Sequence, residues 1–257
     1  MHQQLLKIIL VFSFLSTIVW SSKIESLQEA INISGKQRMF TQRMLKDYAM
    51  IGMRNKFGNP EKDLQIVIKN FDDDIILLSH YIKNKAIKKE IAVMNKLWIP
   101  IKKLLSEDAE KEKIVSLQED LDILLKKANS ITKSLAKLSS KKSDHIINIS
   151  GKQRMLSQRM ASLYMLRVWG ITDSKFKVKL EKAMTNFKEA LIGLKASNLN
   201  TPKINKLLSK VERSFKFFEF MGRSNSKFIP SLIYRKSNDM LKNMNTVTEL
   251  YVTLHLN

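Results

Sequence analysis

The chain has no cysteine and only 7 glycines and 4 prolines among its 257 residues. Without cysteine, neither a disulfide framework nor thiol chemistry is possible. The scarcity of glycine and proline, and the lack of β-branched residues alternating with polar ones, argue against a sheet-rich fold. Because 44% of the residues are hydrophobic and 27% are charged, we expect a packed, all-α protein.

The sequence also lacks the residue spacings of metal and catalytic sites. Its 4 histidines are scattered and form no pair at helical metal-binding spacing, so no metal site is predicted. No nucleophile–base pair and no phosphate-binding loop can be assigned. We therefore expect no catalytic residues, no cofactor and no enzymatic activity.

Acidic residues are scarce relative to basic ones: 24 Asp and Glu stand against 45 Lys and Arg, a formal net charge of +21. A basic surface attracts anions, anionic membranes and nucleic acids. The basic residues are spread along the chain, with neither the aromatic interleaving of single-strand binders nor zinc-finger spacing. We therefore predict no nucleic-acid partner. A lysine-rich solvated surface is the alternative to an anion-binding role for this charge.

Only one long apolar run is present, over residues 8–20. It is shorter than the roughly 20 residues needed to span a membrane, and it has the length of the hydrophobic part of a secretory signal. We expect residues 1–22 to be a signal peptide, cleaved on export to the periplasm. An uncleaved anchor in the inner membrane is the alternative. No later segment is expected to cross a membrane.

One stretch of fourteen residues occurs twice, as INISGKQRMFTQRM over residues 31–44 and as INISGKQRMLSQRM over residues 147–160. The two copies differ at two positions only. The glycines of the copies are 116 residues apart (151 − 35 = 116). Helix formation does not demand identical polar residues, so a constraint other than helix propensity is indicated.

The repeat extends well beyond this motif, since the same offset relates Asn129 to Asn245. A period this long is typical of a duplicated domain and not of a solenoid. We predict two tandem antiparallel four-helix bundles of the periplasmic sensor type, over residues 23–140 and 141–257. The polar residues 139–144 between them are either a turn or part of one long helix.

Breakers and capping residues place the helices of the first unit. We expect helix 1 over residues 23–55 and helix 2 from residue 61 to about residue 81 or residue 85. Helix 3 is expected over residues 86–105, kinked or split by Pro100, and helix 4 is expected to open near Ser106.

The first helix of each unit is expected to bury two faces, of which one is apolar and the other carries Arg38 or Arg154. An arginine in a helix–helix seam is costly unless a negative group meets it. The arginine is satisfied by a carboxylate from another helix, such as residues 72–74 of helix 2, or it extends to solvent, or it binds a small anion. The second unit has Lys188 at the position of Asp72, which favours the anion, and the planar guanidinium suits bidentate binding of oxyanions.

Small and hydroxyl residues flank these arginines. Gly35 and Gly151 lie one helical turn before them and would allow close backbone approach. The second arginine of each copy, Arg43 or Arg159, points elsewhere and is expected to be a surface or interhelical charge. The predicted ligand-binding residues are Arg38, Arg154, Gly35, Gly151, Ser34, Ser150, Thr41 and Ser157.

The segments ISGKQRMFTQRM and ISGKQRMLSQRM resemble the signature of the PilJ-type domain, the N-terminal sensor region of type IV pili methyl-accepting chemotaxis transducers. They are also similar to the P-box of bacterial nitrate/nitrite sensor kinases. In those kinases the motif arginine lies in the first helix of a periplasmic four-helix bundle and meets its twin across a dimer axis, where the two hold the oxyanion. The resemblance implies that Gly35 and Arg38, and likewise Gly151 and Arg154, are the matching positions.

This resemblance implies a periplasmic sensor domain for a small anion such as nitrate or nitrite, with a link to chemotaxis. Because the sequence ends at Asn257 without a second span or an output domain, we expect it to act through a separate membrane receptor or pilus component. If residues 139–144 form a turn, the two arginines could meet within one chain. If those residues are helical, pairing would need a homodimer. The alternative function is a non-catalytic structural or adaptor protein associated with pili or chemoreceptors.

Overall fold

The computed structural model describes residues 23–139, 142–223 and 229–254. Their regular structure consists of eight α-helices without any strand, which confirms the prediction of an all-α protein. The predicted signal segment and the predicted boundary between the two units lie outside the described residues. Within the described ranges, no helix combines the length and the apolar character that crossing a membrane requires.

The helices fall into two sets of four with matching order and length. Their bounds are α1 Leu27–Gly52, α2 Pro60–Tyr81, α3 Lys85–Leu105, α4 Ile114–Lys137, α5 Lys142–Val168, α6 Ser174–Lys195, α7 Pro202–Arg223 and α8 Pro230–Thr253. The repeat offset carries α4 onto α8 residue for residue (230 − 114 = 116 and 253 − 137 = 116). We refer to α1–α4 as the first half, to α5–α8 as the second half, and to α1 and α5 as the motif helices.

The helix starts follow the capping chemistry of the sequence. Asn59 caps α2 in the left-handed conformation, with a φ of 55°, and its side chain accepts a hydrogen bond from the Lys62 amide at 3.2 Å. Pro60 occupies the first helical position, where the missing N–H costs nothing. Asp173 caps α6 from an extended backbone conformation, and its side chain accepts a hydrogen bond from the Lys175 amide at 2.8 Å.

Two expectations about the first half need correction or refinement. Helix α3 continues past Pro100 without being split. The predicted start of helix 4 near Ser106 is wrong, because α4 begins at Ile114. Ser106 instead closes α3, since its Oγ donates to a carbonyl of the last turn at 2.9 Å. The Glu110 amide then donates to the Tyr48 hydroxyl at 2.9 Å, which fixes this connection against α1.

The packing of the helices is the same in both halves. Helix α1 contacts α2 and α4, and α3 contacts the same two helices; α5 likewise contacts α6 and α8, which both contact α7. The most extensive contact of all joins the two motif helices, α1 and α5. The buried hydrophobic side chains form one continuous core across both halves.

The motif helices run in the same direction and are nearly in register. Near their starts, Gln28 Nε2 donates to Asp144 Oδ1 at 3.1 Å, across the 116-residue offset. Two-thirds of the way along, Lys46 Nζ donates to Gln158 Oε1 at 3.0 Å. The helices therefore lie side by side within one chain and do not form the two ends of a continuous rod.

Candidate anion site at the paired arginines

The motif helices are buried on nearly all sides because each packs against its own half and against its twin. Arg38 and Arg154 are consequently inside the protein, at 1% and 0% exposure. On the apolar face of α1, Phe40 and Met44 are buried in the hydrophobic core. Two faces of the helix are therefore covered, and the arginines lie on the face shared between the halves.

The Arg38 guanidinium reaches from α1 to both α4 and α5. Its Nη1 donates to Asn129 Oδ1 at 3.0 Å and to Asn148 Oδ1 at 2.9 Å. Its Nη2 donates to the backbone carbonyl of Asn148 at 3.3 Å. All of these partners are neutral amides or carbonyls, so they orient the positive charge without neutralising it.

The Arg154 guanidinium repeats this arrangement from the other side. Its Nη1 donates to Asn245 Oδ1 at 3.4 Å, and its Nη2 donates to the carbonyl of Asn32 at 3.2 Å. Asn245 occupies the position of Asn129 in the repeat, and Asn32 that of Asn148. The two sets of contacts are therefore related by an approximate two-fold axis between the motif helices.

Gly35 and Gly151 allow the two guanidinium groups to converge. A Cβ atom added to Gly35 would lie 3.2 Å from Arg38 Nη2 and 3.3 Å from Arg154 Nη2. A Cβ atom added to Gly151 would lie 3.2 Å from each of the same two atoms. Both Nη2 groups thus share one small space between the glycines, and any larger residue would crowd it.

Two of the three carboxylates that helix 2 could offer, Asp72 and Asp73, are engaged elsewhere. Asp72 accepts from Trp98 Nε1 at 2.7 Å and from Lys102 Nζ at 2.6 Å, while Asp73 pairs with Lys69. In the described part of the chain, neither guanidinium has a carboxylate within ion-pair distance. The Nε atoms of both arginines are also buried without a protein hydrogen-bond partner.

Burial weakens proton binding at both arginines, and repulsion by a neighbouring charge adds to this effect at Arg38. Burial, followed by the charge of Arg154, lowers the pKa of Arg38 to about 9. Burial lowers the pKa of Arg154 to about 10, although Glu249 and Asp74 act in the opposite direction. Both groups still carry a proton at neutral pH, so the site holds two positive charges that only longer-range interactions offset.

The carboxyl group of Asp74 on α2 lies near the site, but it is not within ion-pair distance of either guanidinium group. Its Oδ2 is buried without a hydrogen-bond partner. Burial raises the pKa of Asp74 to about 6, although the charges of Lys36 and Arg154 and the side chain of Gln37 lower it. The second half has Ala190 at this position, so the carboxyl group is present on one side of the two-fold axis only.

The four predicted hydroxyl residues lie on the motif helices beside the arginines, but their protons go to other partners. Thr41 donates to the Arg38 carbonyl at 2.9 Å, and Ser157 donates to the Arg154 carbonyl at 2.8 Å. Ser150 donates to a carbonyl of its own helix at 3.0 Å, and Ser34 shares a hydrogen bond of 2.8 Å with the hydroxyl of Thr132 on α4. Their role as ligand contacts stays a prediction.

The second arginine of each motif copy forms an interhelical ion pair, away from the paired guanidinium groups. Arg43 pairs with Asp63 of α2. Arg159 Nη1 lies 2.8 Å from Asp122 Oδ1, so this pair joins α5 to α4 of the first half. In each motif, therefore, the second arginine has a carboxylate partner, whereas the first arginine has none within ion-pair distance in the described part of the chain.

The asparagines at positions 32, 129, 148 and 245 complete the site and were not among the predicted residues. The signal was present in the sequence, because two of them are matched by the repeat offset and the other two belong to the duplicated motif. What the sequence could not supply was the meeting of α4 with α5 and of α8 with α1.

Comparison with known proteins bears on the second half of the chain. Residues 136–216 match the PilJ family, described as the N-terminal region of type IV pili methyl-accepting chemotaxis transducers. This match includes all of α5 and α6 and most of α7, and therefore the second copy of the motif with Arg154. No curated protein and no solved structure matches the chain.

Proposed function

We propose that this protein is an exported, non-catalytic sensor protein that binds a small oxyanion, such as nitrate or nitrite, between Arg38 and Arg154. In this proposal, residues 23–140 and 141–257 are tandem PilJ-type four-helix bundles of the periplasmic sensor type. They are related to the P-box domains of nitrate/nitrite sensor kinases. The bound anion would change how the motif helices pack, and a separate membrane receptor or pilus component would respond.

The observation that carries the proposal is the convergence of two buried guanidinium groups without a carboxylate partner. Transferring a charge from water to a protein interior costs several kcal/mol unless an opposite charge compensates it. An oxyanion between the arginines would supply that charge and accept charge-assisted hydrogen bonds from both groups. Because both arginines belong to one chain, the proposed site is complete without a second copy of the protein.

The sensory part of the proposal is supported by the family match over residues 136–216. Transducers of that description respond to ligands outside the cytoplasm, which agrees with periplasmic localisation and with a partner linked to chemotaxis or pili. The duplication supports it further, since the match contains one copy of the motif and the first half supplies a second copy at the same offset.

Calorimetric titration with nitrate, nitrite, sulfate and chloride tests the proposal on the unsubstituted chain. We expect measurable binding of at least one oxyanion, and its loss in an Arg38→Gln/Arg154→Gln variant. The matched control is Arg43→Gln/Arg159→Gln, which alters the other two arginines of the same motif and should retain binding. In parallel, a ligand at about 100 times its Kd should stabilise the folded protein by about 2.7 kcal/mol.

A structural or adaptor role is the second candidate, and the Arg–Asn contacts between the halves favour it. Each arginine donates to a backbone carbonyl of the other motif helix. Each could therefore fix the two motif helices to each other in a rigid structural protein. In that case the Arg38→Gln/Arg154→Gln variant would lose stability, but the unsubstituted protein would bind none of the four anions.

A further inference from the structure

A second buried group of charges lies farther along α1, and the proposed anion site does not use it. Lys46 and Asp47 are adjacent, and both side chains are completely buried. Eight residues separate Lys46 from Arg38, or about 12 Å along the helix axis. Two ionisable side chains at 0% exposure require an explanation, because burying a charge is costly unless partners surround it.

The side chains that accept hydrogen bonds from Lys46 belong to the second half of the protein. Its Nζ donates to Gln158 Oε1 of α5 at 3.0 Å and to Asn238 Oδ1 of α8 at 3.1 Å. The same nitrogen lies 4.3 Å from the centre of the Tyr234 ring, which is a cation–π contact. One ammonium group of the first half is therefore held by three side chains of the second half.

Asp47 lies beside this ammonium group but is not one of the residues that hold Lys46 to the second half. Its Oδ1 is 3.6 Å from Lys46 Nζ, and neither of its carboxyl oxygens has a hydrogen-bond partner in the described part of the chain. An ionised Asp47 would attract Lys46 toward its own helix and would compete with Gln158 and Asn238 for the ammonium protons. A protonated Asp47 would leave those protons to the second half.

In the described part of the chain, two charged groups face this pair, one on α1 itself and one on α2. Arg43 of α1 and Asp63 of α2 form an ion pair with each other. Helix α5 contributes the uncharged Gln158, and α8 contributes Tyr234 and Asn238.

The fold itself does not require this arrangement, because the second half lacks it. At the repeat offset of 116, the positions of Lys46, Asp47 and Asp63 are occupied by Ser162, Leu163 and Lys179. The carboxylate on that side of the molecule is Asp122, and it is fully engaged in ion pairs. The unpartnered carboxyl group is therefore a feature of the first half alone.

We propose that Lys46 and Asp47 form a proton-dependent interlock between the two halves, in which protonation of Asp47 frees Lys46 to hold α5 and α8. When Asp47 loses its proton, the ammonium group turns toward Asp47 and the contact between the halves loosens. The interlock would make the packing of α1 on α5 sensitive to the pH around the protein. It does not depend on anion binding, so either proposal can fail without the other.

The electrostatic surroundings act in the direction that this mechanism requires. Burial raises the pKa of Asp47 well above its usual value, against the charge of Lys46, and the nearby carboxylate of Asp63 raises it further. Burial lowers the pKa of Lys46 in turn, although Asp47 opposes this. Burial alone would also raise the pKa of Asp63, but several lowering contributions, of which the charge of Arg43 is the largest, together outweigh it, and the pKa of Asp63 is lowered. These surroundings therefore favour the protonated form of Asp47 and the ionised form of Asp63.

The distance between the halves can be measured by pulsed EPR, since the chain has no native cysteine to interfere. Nitroxide labels are attached in a Lys62→Cys/Lys177→Cys background, at exposed positions in α2 and α6. Distance distributions are recorded without added oxyanions at several pH values between 4.5 and 9. We expect a longer or broader distribution as the pH rises, because Asp47 then releases its proton.

Two substitutions connect any such change to the interlock. Asp47→Asn cannot ionise and should keep the low-pH distribution at every pH. Lys46→Ser/Asp47→Leu introduces the residues that the second half carries at these positions, and its distribution should not respond to pH; it also serves if Asp47→Asn does not fold. Asp120→Asn, an exposed position on α4, should behave like the labelled parent. A parent distribution that is the same at all pH values would overturn the proposal, as would an Asp47→Asn variant that shifts as the parent does.

Discussion

Arg38 and Arg154 each donate a hydrogen bond from Nη2 to a backbone carbonyl of the other's helix, at 3.3 Å and 3.2 Å. The acceptors, Asn148 and Asn32, are themselves related by the repeat offset. The exchange places two positive side chains on one approximate two-fold axis inside a single chain. Duplication has thereby produced within one chain the kind of symmetric interface that a homodimer builds from two chains.

The two asparagines that orient the arginines should differ in their importance. Asn129 accepts from Arg38 at 3.0 Å, whereas Asn245 accepts from Arg154 at 3.4 Å. A hydrogen bond to a charged group contributes about 1.5–3 kcal/mol, and the longer contact should contribute less. We expect Asn129→Ala to reduce the free energy of unfolding more than Asn245→Ala does, as measured by urea denaturation. Equal losses at the two positions would contradict this reading of the geometry.

The substitution Gly35→Ala should have different effects on the stability of the protein and on its binding of oxyanions. In a helix interior, alanine is favoured over glycine by about 1 kcal/mol, but the added Cβ would lie 3.2 Å from Arg38 Nη2. We expect Gly35→Ala to change the free energy of unfolding by less than about 1 kcal/mol. Because the displaced guanidinium groups would no longer converge, we also expect oxyanion binding to be weakened at least several-fold in calorimetry.

Gly193 supplies the control for this substitution. It lies within α6, and a Cβ atom added there would have no neighbour within 4 Å. We expect Gly193→Ala to stabilise the protein by up to about 1 kcal/mol through helix propensity alone and to leave oxyanion binding unchanged. If Gly35→Ala stabilised the protein equally and bound anions normally, the space between the glycines would have no role in binding.

The architecture could be predicted from the sequence to the extent that it depends on repetition and on apolar spacing. The all-α class, the matching of α4 with α8 and the burial of the motif arginines follow from patterns that a single chain displays. The start of helix 4 was misplaced because Ser106 and the acidic residues after it look like an N-cap. In the structure, Ser106 ends the preceding helix, and the Tyr48 hydroxyl holds the segment that follows.

The polar partners could not be predicted, because they come together from helices that are distant in the chain. Asn129 and Arg38 are 91 residues apart, and Lys46 and Asn238 are 192 residues apart. Periodicity shows which face of a helix is buried, but it does not show which neutral amide will meet a charge on that face. Lys46 and Asp47 lie next to each other in the sequence, and both are buried where α1 packs against α5 and α8.

The junction at the ends of α1 and α5 depends on a second close approach at a glycine. A Cβ atom added to Gly52 would lie 2.1 Å from Cζ2 of Trp169 and 2.2 Å from its Cη2. Overpacking of this kind costs about 1–3 kcal/mol. We therefore expect Gly52→Ala to lower the free energy of unfolding by about that amount, measured by chemical denaturation with circular dichroism as the probe.

A double-mutant cycle isolates this contact from other effects of the substitution. Gly52→Ala should cost less in a Trp169→Ala background than in the unsubstituted protein, because the ring that the new methyl group strikes is no longer there. If the cost of Gly52→Ala were the same in both backgrounds, the effect would arise from the helix end and not from Trp169.

Asp74 should make the stability of the protein depend on pH, in the sense opposite to that of an ion-paired carboxylate. Its folded-state pKa is raised to about 6, from an ordinary value of 3.8. The stability that it contributes is therefore fully present below pH 3.8 and is lost as the pH rises through 6. A shift of this size corresponds to roughly 3 kcal/mol, and Asp74→Asn should remove this pH dependence.

We expect urea denaturation to show that Asp74→Asn gains stability relative to the unsubstituted protein between pH 4.5 and pH 7.5, whereas Asp120→Asn, exposed on α4, does not. A difference between Asp74→Asn and the parent that is independent of pH would mean that Asp74 is ionised throughout this range, and that nearby positive charges such as Lys36 and Arg154 outweigh its burial.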